Sequence, residues 1–470
     1  MTDLRGSGSF VGDPSGAWLE DGSIVFGVIG LAGFRLLRVM ASGGEPSPVI
    51  PATENGEEIA HRDAAAIPGG RGFVSIGQTR GSSSVFLHPP GGGEPVLLIT
   101  GRLARVSPSG HLVFEQDGTL WAVALDVDRA PVVGESVALA NLAGAVPFLS
   151  PMFDLSVNGS LVYVTGGSGE WPNRSLYWVA RDGQEERLDI EPRPYWFPRA
   201  SPDGEQIGFH IMDPENMDAH IHDLRSGATS RLTFDPAVDG YPVWSPNGER
   251  IVFWSSRETG TGNLFARATD GTGDVERLTE TIRRSAPYSW TRDGLIIFTE
   301  ESSETSSDIW KLSIDGDRTP ELVLQEPYAE TRPAVSPNGR WIAYQSNESG
   351  QWQIWVRPFP DVEDGRWSVG AGMSPQWSPD SRELYFRGDG AMMAVRIDAA
   401  DGFSAGPAVR LFDAPYVLAT SDVAPLQAEY AVAPDGRFLM MKDVSPSENA
   451  AEVIVVRNWV EELKARVPAP

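Results

Sequence analysis

The chain is expected to be all-β, a β-propeller of about ten four-stranded blades, and three features of the sequence carry that expectation. Glycine (50) and proline (37) are abundant and evenly spread, so they punctuate short apolar runs and do not gather into a linker. A turn-plus-strand phrase recurs roughly every 45 residues. No part of that repeat shows helical periodicity.

The phrase is clearest at 243–253 (VWSPNGERIVF), 334–344 (AVSPNGRWIAY), 199–209 (RASPDGEQIGF), 376–386 (QWSPDSRELYF) and 431–441 (AVAPDGRFLMM). Looser copies lie at 289–298, 154–163 and 105–114, and the weakest at 19–26 and 67–76. The turn positions are Gly22, Gly70, Gly110, Gly159, Gly204, Gly248, Gly294, Gly339, Ser381 and Gly436. Asn-Gly or Asp-Gly is expected to supply the positive φ of a tight hairpin between the first two strands, with the preceding Pro fixing φ at its entry. Trp244, Trp290 and Trp377 fall in one column before the turn. In the second strand Ile251/Phe253, Ile207/Phe209 and Ile342/Tyr344 alternate with polar or small neighbours, as a half-buried strand does. A third strand is expected at 263–268, 308–312, 353–356 and 175–179. It closes in Asp270-Gly271, Asp315-Gly316 or Asp182-Gly183. The fourth is short and ends in RLT at 231–233 or 277–279.

The six regular turns from 204 to 436 suffice for a six-bladed ring over 191–470, with residues 1–190 supplying about four looser blades. One large ten-bladed ring is the alternative. Residues 453–456 are expected as a closing strand and 458–466 as a short capping helix. The opening MTDLRGSGSF lacks the basic and apolar runs of a signal peptide. The apolar stretch 24–34 is too short to cross a bilayer, which takes about 20 residues, so no direct membrane insertion is expected.

The formal charge of −26 and pI of about 4.6 repel phosphate backbones, which argues against nucleic acid as a partner. The absence of cysteine excludes disulfides, thiolate metal sites and cysteine nucleophiles. Lys311, Lys442 and Lys464 are the only lysines.

The SPDG and SPNG turns, with LTFDP at 232–236, VRPFP at 356–360 and RNWVEELK at 457–464, resemble the TolB-like, WD40-like propeller family. One branch is especially similar, the C-terminal propeller region of bacterial membrane-anchored serine/threonine protein kinases. The resemblance is strongest from about Leu155 onward. It implies a protein- or peptide-binding sensor or interaction platform on the periplasmic or extracytoplasmic side, with no cofactor. The kinase domain itself is absent from the sequence.

Catalytic motifs do not assemble. His61-Arg62-Asp63 begins like a kinase catalytic loop, but Pro68 stands where a magnesium-binding Asn belongs. Gly6 and Gly8 begin like a glycine-rich loop, but the third glycine arrives late, at Gly12. GFSAG at 402–406 matches G-x-S-x-G, but no helix–strand alternation leaves room for the α/β domain that such an elbow needs, so no catalytic residue is assigned. The alternative is a glycosidase-like hydrolase with acidic funnel residues, Asp239 and Glu330 forming the pair; solvated loop carboxylates are the plainer reading. His220 and His222 share a strand face within HIMDPENMDAHIH (210–222), and with Asp218 they are weak candidates for a divalent metal. An ordinary polar sheet face beside an acidic loop is the plainer reading, and no metal is assigned.

A binding surface is expected at the funnel mouth, because the first strand of each blade runs beside the axis. Entering residues are Tyr195, Trp196, Phe197 and Arg199, then Asp239, Tyr241, Arg284 and Tyr288. Glu330, Arg332, Met373, Gln376, Gln427, Glu429 and Tyr430 complete the set. Aromatic and arginine side chains dominate binding energy at interfaces, although the same residues could simply pack blade on blade. The expected rim is Tyr195, Trp196, Arg199, Asp239, Tyr241, Arg284, Tyr288, Glu330, Arg332 and Gln376.

Overall fold

The computed structural model describes residues 16–30, 33–50, 60–79, 82–129, 132–142, 153–165, 172–212, 216–257, 262–281, 283–302, 305–315, 318–398, 402–418, 427–444 and 452–467. The Gly6–Gly12 motif lies outside them. Apart from a 3-10 turn at Val362–Asp364 and a helix at Trp459–Arg466, the regular structure of the described chain is antiparallel sheet.

Each sheet starts from a hairpin whose chemistry is set by the repeated turn. All ten turn positions have positive φ, from 61° at Ser381 to 85° at Gly436. The preceding Asp or Asn does not share the left-handed region, so the two-residue hairpin expected from Asn-Gly is replaced by a wider one. In Ser201-Pro202-Asp203-Gly204, the Gly204 N–H donates to Ser201 O at 2.9 Å, and the single left-handed residue comes last. The serine has its own task. Ser201 Oγ accepts the N–H of Gln206 at 2.9 Å, and Ser245, Ser336 and Ser378 do the same for Arg250, Trp341 and Glu383. Those hydroxyls satisfy the first donors of the outgoing strand.

The described molecule divides into two compact units, Met1–Glu170 with Pro446–Pro470, and Trp171–Ser445. In the second unit six sheets follow one another among the described residues. Their innermost strands are Tyr195–Ala200, Asp239–Trp244, Ser285–Trp290, Glu330–Val335, Met373–Trp377 and Ala431–Val432. The sixth sheet is completed from the other end of the unit: Phe438–Asp443 pairs with Arg174–Val179, which pairs with Glu185–Arg187. Residues 175–179 therefore do not finish the repeat anchored at Gly159, where spacing alone put them. Six apolar clusters join successive sheets, and the last returns to the first. Phe253 packs between sheets one and two, Phe298 between two and three, and Tyr344 between three and four. Phe386 joins four to five and Phe438 joins five to six, while Leu176, Phe209 and Leu439 join six to one. Each buried Phe contributes about 1.5–3 kcal/mol, and no sheet could bury both its faces alone.

In the first unit, three four-stranded sheets begin at Gly16–Trp18, Ala60–Ala66 and Arg102–Val106. A fourth comprises Phe153–Leu155, Leu161–Thr165 and the distant Glu452–Val456. The strand expected at 453–456 thus completes this sheet and not the ring of residues 191–470. The helix Trp459–Arg466 buries Trp459 and Leu463 against Val113, Leu120 and Phe153. The His61-Arg62-Asp63 motif has a structural role here. Asp63, left-handed at φ 52°, pairs with Arg105 at 3.3 Å, and the buried His61 contacts Ser75 Oγ at 2.9 Å.

Candidate functional site

The innermost strands share an irregularity that aims side chains. In five sheets of the second unit the register to the neighbouring strand slips by a bulge, as between Trp196 and Arg199 or Thr331 and Ala334. Within four of these bulges sits a left-handed non-glycine residue: Phe197 (φ 48°), Tyr241 (58°), Arg332 (53°) and Ser374 (60°). Such a conformation costs on the order of 1–3 kcal/mol and persists only where the surroundings hold it. At Tyr241 the holder is visible: its N–H donates to His210 Nδ1 at 3.2 Å, and its ring meets Phe197 and Trp254. Burial pushes the His210 imidazole down to about 3, which keeps it a neutral acceptor at physiological pH.

The expected rim residues occupy three depths along these strands. At the strand starts, Tyr195 is buried in the core with its hydroxyl donated to Glu191 O, so it does not stand at a rim. Trp196 is half-buried, with the Arg174 guanidinium 3.9 Å from its ring centroid. Asp239 and Glu330 are fully buried strand residues, not solvated loop carboxylates. Asp239 is held by Arg257 at 2.7 Å, while Glu330 accepts from Ser346 Oγ and the Glu326 N–H. The two carboxyls share no hydrogen-bond partner among the described residues. Burial, then the neighbouring Glu326 charge, pushes the Glu330 carboxyl up to about 8.

At mid-depth lie Tyr241 and Arg332, both buried. Further along, Arg199, Tyr288 and Gln376 are half-buried. The segment before the sixth inner strand ties these levels together. Gln427 Nε2 donates to Tyr241 O (3.1 Å) and to Pro287 O, reaching sheets two and three from the sixth. Glu429 receives Arg332 Nη2 at 3.0 Å and Ser374 Oγ at 2.9 Å, and the Tyr430 hydroxyl donates to Ser374 O. Arg199 donates to the carbonyls of Ala428 and Tyr430. Arg387 donates to those of Ala414 and Tyr416. Both guanidiniums also feel the Glu429 charge, so three cations share one carboxylate. Burial pushes Arg199 down to about 10. At the edge of this group, Arg284 Nη2 donates to the Tyr241 hydroxyl at 3.2 Å.

Sequence reasoning missed Ser374, Arg387 and Glu301, none of which carries a motif. The metal candidates do not converge: Asp218 is engaged by Arg231 and Thr233, and His220 Nδ1 contacts Asp218 O. His222 Nδ1 contacts Thr229 Oγ1. Among the described residues no three His, Asp or Glu side chains form a metal-holding group. Asp213 and Glu215 lie outside the described residues. In the first unit a separate cleft of about 520 Å³ opens between Trp18, Ala65, Arg105 and Leu155.

A family model described as the TolB beta propeller domain matches residues 143–357. Among solved structures, a TolB of Agrobacterium tumefaciens is similar at 18% identity and TM-score 0.47, over 58% of this chain and 99% of that one. TolB from Acinetobacter baumannii is similar at 15% identity and TM-score 0.41, over 74% and 80%. The tricorn protease is similar at 11% identity and TM-score 0.37, over 84% and 44%. No curated protein sequence matches. The fold is a TolB-like β-propeller, a type that generally serves as a protein-binding platform. No described helix is long and apolar enough to cross a membrane.

Proposed function

We propose that the protein is a non-catalytic platform that binds a protein or peptide at the axis of its second unit, read as a six-bladed ring. The observation that carries this is the gathering of half-buried Arg199, Arg284 and Tyr288 beside a buried, strained polar centre. Arginine and tyrosine held rigidly next to partly exposed space are what binding surfaces use, and strain in four of five bulges is a cost that packing alone does not require. The hydrolase alternative draws no support from Asp239 and Glu330, each engaged separately. Relationship to the propellers of bacterial receptor-type kinases, and a periplasmic or extracytoplasmic setting, belong to the same proposal and rest on the resemblance of the repeats.

The test is partner retention from cell extract on immobilised protein. Arg284→Ala and Gln376→Ala are expected to lose most of the recovered partner, while Asp270→Ala, on an exposed outer turn, keeps it. Equal recovery by all three variants contradicts an axial binding site.

A further inference from the structure

Guanidinium groups gather near the inner strands of the second unit, in a chain of net charge −26. Arg199, Arg332 and Arg387 surround the carboxylate of Glu429, and Arg199 and Arg387 donate to backbone carbonyl oxygens. Arg284 has Glu301 at 3.8 Å, beyond hydrogen-bond reach, and burial pushes the Glu301 carboxyl upward, weakening its charge. One donor beside this group, Arg284 Nε, lacks an acceptor, and the buried Tyr288 hydroxyl lies beside the hydroxyl of Thr299. Tyr288 lies close enough to Arg284, Arg332 and Tyr241 to interact electrostatically with all three. A buried donor without an acceptor is costly unless an anion supplies the missing lone pair.

We infer that the axial site of the second unit captures a peptide carboxylate between Arg284 and Tyr288, adjacent to the internal carboxylate of Glu429. The chain itself shows the chemistry: Glu429 is gripped by one guanidinium and one hydroxyl, Arg332 and Ser374. Arg284 and Tyr288 offer a second guanidinium–hydroxyl pair, with Glu301 at 3.8 Å too far to hydrogen-bond the guanidinium. Arg284 is 29% exposed although its Nε is buried, whereas Arg332 at 4% serves the internal acid. This rests on the platform reading and specifies what the platform recognises.

Calorimetric titration of the full chain with four probes tests it. Acetyl-Ala-Glu-Ala-amide carries only a side-chain carboxylate, and acetyl-Ala-Gln-Ala as the free acid only a terminal one. Acetyl-Ala-Gln-Ala-amide is neutral, and sodium sulfate supplies an anion without a peptide. At least one carboxylate peptide is expected to bind, and which one does identifies the source of the acid. The neutral peptide should give no heat. Arg284→Gln should weaken the carboxylate peptide about tenfold, and Tyr288→Phe, which keeps the ring, should weaken it severalfold. Silence from both carboxylate peptides, equal binding of the neutral one, sulfate binding as tightly as either peptide, or no loss in either variant overturns the inference. If the carboxylate peptides are silent while extract partner is still retained, the carboxylate specificity falls and the platform stands. If they bind while no partner is retained, the reverse holds.

Discussion

The tryptophan column shows how one side chain fixes neighbouring sheets. Trp377 Nε1 donates to Ala334 O at 2.9 Å and Trp244 Nε1 to Arg199 O at 3.0 Å, each reaching a carbonyl on the inner strand of an earlier sheet. Both indoles are buried, while Trp290 in the same column is only half-buried. Trp377→Phe removes the donor, leaves a buried carbonyl unpaired and is expected to cost about 1–3 kcal/mol in urea unfolding. Trp290→Phe should cost clearly less, and equal losses would show that the indole bond adds nothing. The column was legible because an aromatic at fixed distance from a turn glycine repeats. The left-handed residues were not, since Phe197, Tyr241, Arg332 and Ser374 have no common type, and their conformation is set by a bulge against the next strand.

The second sheet of the first unit carries a buried polar relay across three strands. Ser75 Oγ lies 2.9 Å from His61 Nδ1 and 2.7 Å from His88 Nε2, with Phe73 stacked on His88 and Phe86 edge-on to His61. Burial pushes His61 down to about 4; burial, then the neighbouring His61, pushes His88 down to about 3. The unfolded chain therefore binds protons first. Stability is complete above about pH 6.5 and falls as acid approaches the folded values, by roughly 2 kcal/mol for each histidine at pH 5. Melting at pH 7 and pH 5 is expected to show that loss, and His61→Asn with His88→Asn should flatten it. An unchanged slope in the double variant would locate the acid sensitivity elsewhere. Neither histidine was singled out as a relay from sequence, because the strands that bring His61, Ser75 and His88 together leave no spacing signature.

Both units take strands from distant parts of the chain: Arg174–Val179 pairs with Phe438–Asp443, and Leu161–Thr165 with Glu452–Val456. Turn chemistry made every hairpin readable, since Gly22 through Gly436 announce a local left-handed residue. The two long-range pairings were invisible for the opposite reason. SLYWV at 175–179 has the look of any third strand, and nothing within it points to residues some 260 positions away. Burial divides the residues expected at the rim from type and strand position: Tyr195, Asp239, Tyr241, Glu330 and Arg332 are core, and Trp196, Arg199, Arg284, Tyr288 and Gln376 are half-buried. That axial group exists only if the sixth sheet is sealed by the strand at 174–179. The chain contains no cysteine, so Ser175→Cys with Lys442→Cys introduces a single pair of thiols at directly opposed positions. Mild oxidation or a short thiol cross-linker, followed by proteolysis and mass spectrometry, should join the peptide around 175 to the one around 442 within one molecule. Free thiols, or links formed only between molecules, would contradict a ring closed in this way.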